Sequence, residues 1–493
     1  MKYKYLPLLL LFALPGCSGW LDIRPQLEIV EEDMFATEWG FQDVLIGAYS
    51  KISTQSMYGM YTSILVPELL AHHWLVASSN VEYDNIQNFN MDNPDLDGLL
   101  ATIWQQYYQT IANLNSLLAA IDSRASLFVD GNYELIKGEA LGLRAFLHFD
   151  LLRFWGDAPG VASGESITIP YMKITTKDPE LLRSVSYDEV ARQIKNDLDS
   201  AEIFLQRDPI LLYPPGVLNS PGKLYANGVF PPDNSFHYYR QNRFNLHAVK
   251  ATKARYHLWK GEKALALQHA REVIEAVDAM TSTPLFTLAN EASMTGINAS
   301  APDLIMTSEH VFAIHNSALQ SLLSSYFLSF GGLTQDRVAI RTAFETNIHP
   351  NDIRAKEPRN WEEKLNSQTQ QKEYFFRKYL ASETNTVQVI PIIRLAEMYL
   401  IAIECAALPE ANEWLREFRI SRNMESLIDG SLVDASSVYR FLEKEYRKEF
   451  YGEGQMFFFY KRNNVTTYSW PTAFPVDLTR YKFPRPIDQI IYE

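Results

Sequence analysis

The chain reads as a mainly α protein: tetratricopeptide-like helical hairpins forming one body, with long irregular loops and a few short strands. Three observations predict this. Apolar residues recur at helical spacing through most of the chain. Alanines gather where two such stretches meet at a short turn. The segments between helices are too long, and too rich in Pro, Gly and aromatic residues, to be simple connections. With 493 residues, 47% hydrophobic and 13% aromatic, the chain can bury a large core.

At the start, Lys2 and Lys4 form a short positive region, Leu6 to Leu14 an apolar one interrupted by Pro7, and Leu14-Pro15-Gly16-Cys17 follows. This is the pattern of a secretion leader ending in a lipobox, with Gly16 small enough for the peptidase and the Cys17 thiol a nucleophile for diacylglycerol. The apolar run is well short of the ~20 residues a spanning helix needs. Cys17 is therefore the expected lipid anchor.

Phe41, Val44, Leu45, Ala48 and Ile52 then mark a first helix, and Ile103, Tyr107, Ile111, Leu114, Leu118 and Ile121 a second. Ile136, Ala140, Leu143, Leu147, Leu151 and Phe154 stripe a third. Ser186 with Glu189 reads as a capping box opening a fourth, whose apolar face is Val190, Ile194, Leu198, Ala201 and Leu205. Leu246 to Trp259, a Lys260-Gly261 turn and Glu262 to Ala276 form a hairpin seamed with alanine, as in tetratricopeptide arrays, although no strict ~34-residue period survives. Helices are expected again over Ile390–Ala407, Ala411–Arg419 and Ser437–Phe450, ending at Gly452. Arg207 to Asn245 and Phe286 to Val389 are the long irregular parts. The second holds a strand-like piece, His310 to His315. Aromatic-rich loops on a rigid helical frame point to a binding surface.

Net charge is −14, which argues against nucleic acid and anionic lipid surfaces as partners. Only Cys17 and Cys405 are present, so acylation of Cys17 leaves no intrachain disulfide, and Cys405, in the apolar run Met398 to Ala407, reads as a small buried hydrophobe.

Catalytic signatures are lacking. The sequence has no Walker loop, dinucleotide glycine fingerprint, Gly-x-Ser-x-Gly elbow or His-Glu-x-x-His helix. His72 and His73 are adjacent, so their side chains diverge on a helix. His148, four residues after Arg144, reads as a packed flank rather than an acid–base partner. Glu445, Glu449 and Glu453, with Arg447 among them, look at first like a set of catalytic acids, but fit better a charged helix flank bridging its neighbours. Arg394 is expected to pair with Glu397 or Glu404 on a helix surface. No loop has the Asp-x-Asn-x-Asp-Gly spacing of a calcium hand. No enzyme activity or cofactor is expected, and no residues are singled out as metal ligands.

Several motifs, taken in order, resemble the SusD/RagB family of outer-membrane nutrient-binding lipoproteins. They are Cys17-x-x-Trp20-Leu21-Asp22-x-x-Pro25 with Phe35 and Ala48-Tyr49, then Trp104-x-x-x-Tyr108-x-x-Ile111 with Asn113 and Asn115. Gly138-Glu139-Ala140-x-x-x-Arg144-Ala145-Phe146 runs on to Gly156-Asp157-Ala158-Pro159. In the second half come Pro391-x-x-Arg394-Leu395-Ala396-Glu397-x-Tyr399-Leu400, Glu445-x-Arg447-x-Glu449-Phe450-x-Gly452-Glu453-Gly454 and Pro484-x-Pro486. The resemblance implies a SusD-like fold with a signal peptide over 1–16, an N-terminal region over 17–245 and a C-terminal region over 246–493 that carries ligand-loop insertions.

It also implies a function. A protein of this kind is a lipid-anchored, surface-exposed lid on a SusC-like TonB-dependent outer-membrane transporter. It binds an oligosaccharide or polysaccharide, or alternatively a peptide or other nutrient, without cleaving it; an exported glycoside-active enzyme is the remaining reading. Aromatic faces would stack on sugar rings, and amides and carboxylates would meet hydroxyls. Ligand residues vary between members, so no motif transfers them. The candidates are Trp74, Asn80, Tyr83 and Asn85, an aromatic and amide cluster after the first helices, with Tyr326 and Trp361 in the second irregular part. Trp74 is the first of these to mutate, its alanine variant expected to lose glycan affinity at little cost in thermal stability.

Overall fold

The computed structural model describes residues 32–76, 80–176, 178–221, 232–295, 302–327, 332–367, 370, 372–380, 387–424 and 431–491. The leader, Cys17 and the motif from Trp20 to Pro25 lie outside the described residues. So do Tyr225 and Phe230 of the first irregular part.

The N-terminal frame consists of α1 (Glu38–Ile52), α2 (Asp97–Ile121), α3 (Asn132–Trp155) and α4 (Tyr187–Phe204). Thr37 and Ser186 cap α1 and α4 by accepting from Gly40 N and Glu189 N. The expected capping box at Ser186 is only half made, because the Glu189 carboxylate turns outward to Arg192 and Gln193. Helix α3 is central, packed between α2, α4 and the later α5. Every residue from Gly138 to Trp155 is buried. Gly138 and Gly142 permit this closeness, since a Cβ there would lie 2.7 Å from Leu205 Cγ and 2.6 Å from Phe244 Cδ1.

The predicted hairpin is present as α5 (Leu246–Trp259) and α6 (Lys263–Ile274), with Ala251, Ala254, Ala266 and Ala270 buried and Gly261 at φ 76° in the turn. After it come β1 (His310–His315), α7 (Leu319–Phe327) and three short strands, β2 (Thr334–Gln335), β3 (Trp361–Leu365) and β4 (Lys372–Phe376), in the antiparallel order β2-β4-β3. Then β5 (Val389–Arg394) leads into α8 (Leu395–Cys405), α9 (Leu408–Ser421), α10 (Ala435–Glu449) and α11 (Gln455–Arg462).

The helix expected from Ile390 therefore begins only at Leu395. Val389, Ile390, Ile392 and Ile393 are β-branched, Pro391 lacks an N–H, and the segment pairs antiparallel with β1, Ala313 opposite Pro391. The strand-like reading of His310 to His315 corresponds to β1.

Buried charge ties these elements together. In the N-terminal frame, Arg144 forks onto Asp197 at 2.7 and 2.9 Å, and Arg240 spans Asp208 at 2.7 Å and Glu139 at 2.5 Å. In the C-terminal frame, Arg394 and Arg422 both hold Glu309 and Glu449, while Arg354 joins Asp352, Glu445 and Glu449. Arg394 is thus not a surface partner of Glu397 or Glu404. It faces the interior from the end of β5 and also binds Glu453, whereas Glu397 pairs with Arg255 and Glu404 with Arg462.

Two further links join the frames. Lys461 of α11 donates to the carbonyls of Arg153, Phe154 and Gly156 where α3 ends; the helix terminus favours positive charge there, while burial pulls the Lys461 pKa well down. The buried Glu68 carboxylate accepts from the backbone N–H of Gly452 and Gly454 at 2.8 and 2.7 Å and from His73 Nδ1 at 2.7 Å. Gly454 adopts φ 76°, and a Cβ there would meet Ser63 O at 2.6 Å.

Above this clasp lies an aromatic block that corrects two expectations. Trp74 is 1% exposed and Trp361 fully buried. The Trp74 indole donates to Ile64 O at 2.9 Å and packs on Phe327, Phe376 and Tyr451; Trp361 stacks on Tyr374 and also meets Tyr451. Neither ring has a face free for a ligand.

Two outcomes follow. Trp74→Ala should destabilise the protein by about 3–5 kcal/mol, as large-to-small core changes do, read as a lower midpoint in chemical denaturation. The second concerns acid. Burial works to raise the Glu445 pKa, but Arg354 and Lys448 bring it down to about 2 from an ordinary 4.5. Its stabilisation is therefore complete above pH 4.5 and is lost as pH falls toward 2. Denaturation midpoints measured across that window should fall steeply in the wild type and less steeply in Glu445→Gln.

Candidate functional site

Where α1 ends, the backbone leaves regular geometry. Thr62 N and Leu65 N reach carbonyls five residues back, at 3.1 and 3.0 Å, so the segment Tyr61–Leu65 is a π-helical turn that passes directly into the helix Val66–Leu70. Such turns re-aim side chains and recur at functional sites. Here Tyr61 opens the turn with its ring half-buried. Beside it lies the short helix Val81–Gln87, capped by Asn80, whose Oδ1 accepts from Tyr83 N at 3.1 Å. From the other half of the chain, α7 presents Tyr326, whose hydroxyl accepts from Gln55 Nε2 at 3.1 Å.

Three phenols thus share one neighbourhood. Burial first, then the Tyr326 phenol and the Glu82 carboxylate, push the Tyr83 pKa up, and the same three causes in the same order raise Tyr61. Both hydroxyls stay protonated, able to donate as well as accept. The rings remain partly exposed, and Leu75 and Val81, 56% and 58% exposed, add apolar surface. Beneath, Phe327 next to Tyr326 packs on Trp74 with ring centroids 5.6 Å apart. The tryptophan expected to touch ligand instead supports the floor.

Of the six candidate residues, the structure brings Tyr83 and Tyr326 together. Asn80 serves as the cap that orients Tyr83. Asn85 is buried, its Oδ1 taking a long contact from Asn90 Nδ2 at 3.4 Å. Trp74 and Trp361 are interior. Gln55, Tyr61 and Glu82 were not among the candidates. The signal for Tyr61 was the break in periodicity after Ile52, with four residues of low apolarity, Ser53 to Ser56, before an aromatic run.

Other chemically suggestive residues are held in place. His148 donates through Nδ1 to Arg144 O and accepts at Nε2 from Met172 N; burial lowers its pKa to about 3, so it is fixed in the neutral form. His73 stacks on Tyr451 at 4.4 Å, while His72 turns away to Gln87 O. Burial pushes the Cys405 thiol up to about 12, which makes it inert. Among the described residues, no helix is long and apolar enough to cross a membrane.

Comparison with known proteins gives a consistent picture. A family model described as starch-binding associating with outer membrane matches residues 19–214, and the SusD family model matches residues 342–486. SusD-like protein P2 of Formosa agariphila is 28% identical over 211 residues, which are 41% of this chain and 38% of that protein. The chain thus spans about two fifths of the length of the curated relatives it matches. A SusD superfamily protein of Bacteroides thetaiotaomicron shares the fold with a TM-score of 0.69 at 19% identity, covering 92% of this chain and 98% of its own. A putative sugar binding protein of Bacteroides vulgatus does so with a TM-score of 0.67 at 20% identity, covering 92% and 96%. One family model spans the helices up to α4 and the other residues 342–486, which hold most of the C-terminal ion network: the chain belongs to the SusD/RagB family.

Proposed function

We propose that this protein captures a glycan at the outer membrane and passes it, uncleaved, to a SusC-like TonB-dependent transporter. The observation that carries the reading is the convergence of Tyr61, Tyr83 and Tyr326 with Gln55 and Glu82 on one half-exposed face. Phenol rings offer flat apolar surfaces to the C–H faces of a pyranose, while their hydroxyls, the Gln55 amide and the Glu82 carboxylate suit a ligand rich in hydroxyl groups. The group contains no cation, which disfavours an anionic ligand. Among the described residues of the group Glu82 is the one carboxylate, whereas glycoside hydrolysis in most families needs a facing pair. The description of the matched family model as starch-binding makes α-glucans the first polymers to try. The lipobox ending at Cys17 and the acidic net charge suit a body tethered beside the membrane rather than adsorbed to it.

Native gels cast with soluble starch, xylan, laminarin or mannan test this reading. One polymer should retard the protein without generating new reducing ends. Tyr83→Ala and Tyr326→Ala should each weaken that retention about tenfold, or ~1.4 kcal/mol, with little change in melting temperature. Retardation by none of these polymers would reject glycan capture, and binding of a peptide library instead would move the assignment to peptides. Separately, Cys17→Ser should shift the protein from the membrane fraction to the soluble fraction, and the wild type should bring a transporter with it after gentle solubilisation.

A further inference from the structure

A second aromatic cavity, of about 350 Å3, lies on the outer face of α1. Trp39, Gln42, Ile46 and Tyr49 line one side at helical spacing, and Phe236, Tyr239 and Arg243 close it from the first irregular part of the chain. Trp39 is 68% exposed and Ile46 49%, an expensive arrangement for side chains of their size unless they have a partner.

Two features show that the site is built. Tyr239 is held in the left-handed region at φ 56°, where bulky residues are rare, and is still 45% exposed. Its N–H is tied to Leu218 O, and the next residue, Arg240, is locked between Glu139 and Asp208. Arg243 is 8% exposed, with its guanidinium 3.6 Å over the Phe236 ring, Nε on Glu139 and Nη1 on Phe236 O. Its Nη2 has no hydrogen-bond partner.

The cavity is linked to the tyrosine site by a short chain of contacts. His315 lines it, and the following Asn316 donates to Ser53 O at 2.7 Å. Two residues beyond Ser53, Gln55 holds Tyr326. A chain of contacts thus leads from the cavity through His315, Asn316 and Ser53 to Gln55 and Tyr326.

We propose that this cavity is a second subsite for the same ligand, a pyranose unit stacking on Trp39 and Tyr239 with its hydroxyls near Arg243 and Asn242. The inference rests on the glycan reading above and deepens it: the protein selects a chain of several sugar units over a short oligomer, because two stacking sites on one polymer act as linked contacts.

The test compares a retained polymer with its own trisaccharide, using the wild type, Trp39→Ala, Tyr239→Asn and Tyr83→Ala; asparagine tolerates the left-handed backbone. Trp39→Ala and Tyr239→Asn should each weaken polymer retention by about threefold or more while leaving trisaccharide affinity within about twofold. Tyr83→Ala should weaken both ligands. Hydroxyl-radical footprinting should show Trp39 and Tyr239 protected by polymer and not by trisaccharide. If Tyr83→Ala weakens both ligands while the other two variants bind polymer as the wild type does, the second subsite is wrong and the first stands. Equal losses for polymer and trisaccharide in Trp39→Ala would also overturn it. If no polymer binds the wild type, both readings fall.

Discussion

Guanidinium groups buried against carboxylates hold this molecule together. Among the described residues Cys405 is free, so the frames are connected by other means, and a buried arginine fork does so with direction as well as strength. Arg394 is the centre of the largest set: fully buried, it reaches Glu309 before β1, Glu449 at the end of α10 and Glu453 in the following turn. Removing one member would leave its partners charged and dry, which costs more than the pair contributes net. The pairs therefore fix which elements meet, while the apolar core supplies the bulk of the stabilisation.

The candidate tyrosine face rests on elements gathered from distant parts of this frame. Tyr326 arrives on α7, Tyr83 on the short helix Val81–Gln87 and Tyr61 on the π-helical turn, from three separated parts of the chain. The Trp74, Phe376, Tyr451 and Trp361 block sits below them, and the Glu68 clasp anchors its base through His73 and Gly452. Rigid support beneath partly exposed rings lowers the ordering cost when a ligand stacks on them.

The sequence made some of this legible and hid the rest for identifiable reasons. Helices with a one-sided apolar stripe, such as α2 and α4, were readable from periodicity. The α5–α6 hairpin was readable from its alanines. The segment Val389–Arg394 was not, because an apolar run before a helix continues its pattern, and only pairing with β1 makes it extended. Local spacing also assigned Arg394 to Glu397 or Glu404, whereas its real partners are far away in sequence. At the site, composition could not tell a ligand-facing aromatic from a supporting one. Trp74 and Tyr83 sit in one short stretch, yet one donates to a backbone carbonyl inside and the other lies at the rim.

The Glu68 clasp has a consequence for how the molecule comes into being. It closes contacts between residues 384 and 386 positions apart. Loop closure over such a span comes late in folding and must await synthesis of Gly452 and Gly454. The early helices can assemble while the rest is still being made or threaded, but the floor beneath the three tyrosines cannot. A nascent chain therefore has no completed floor beneath these rings until the turn at Gly452 has arrived.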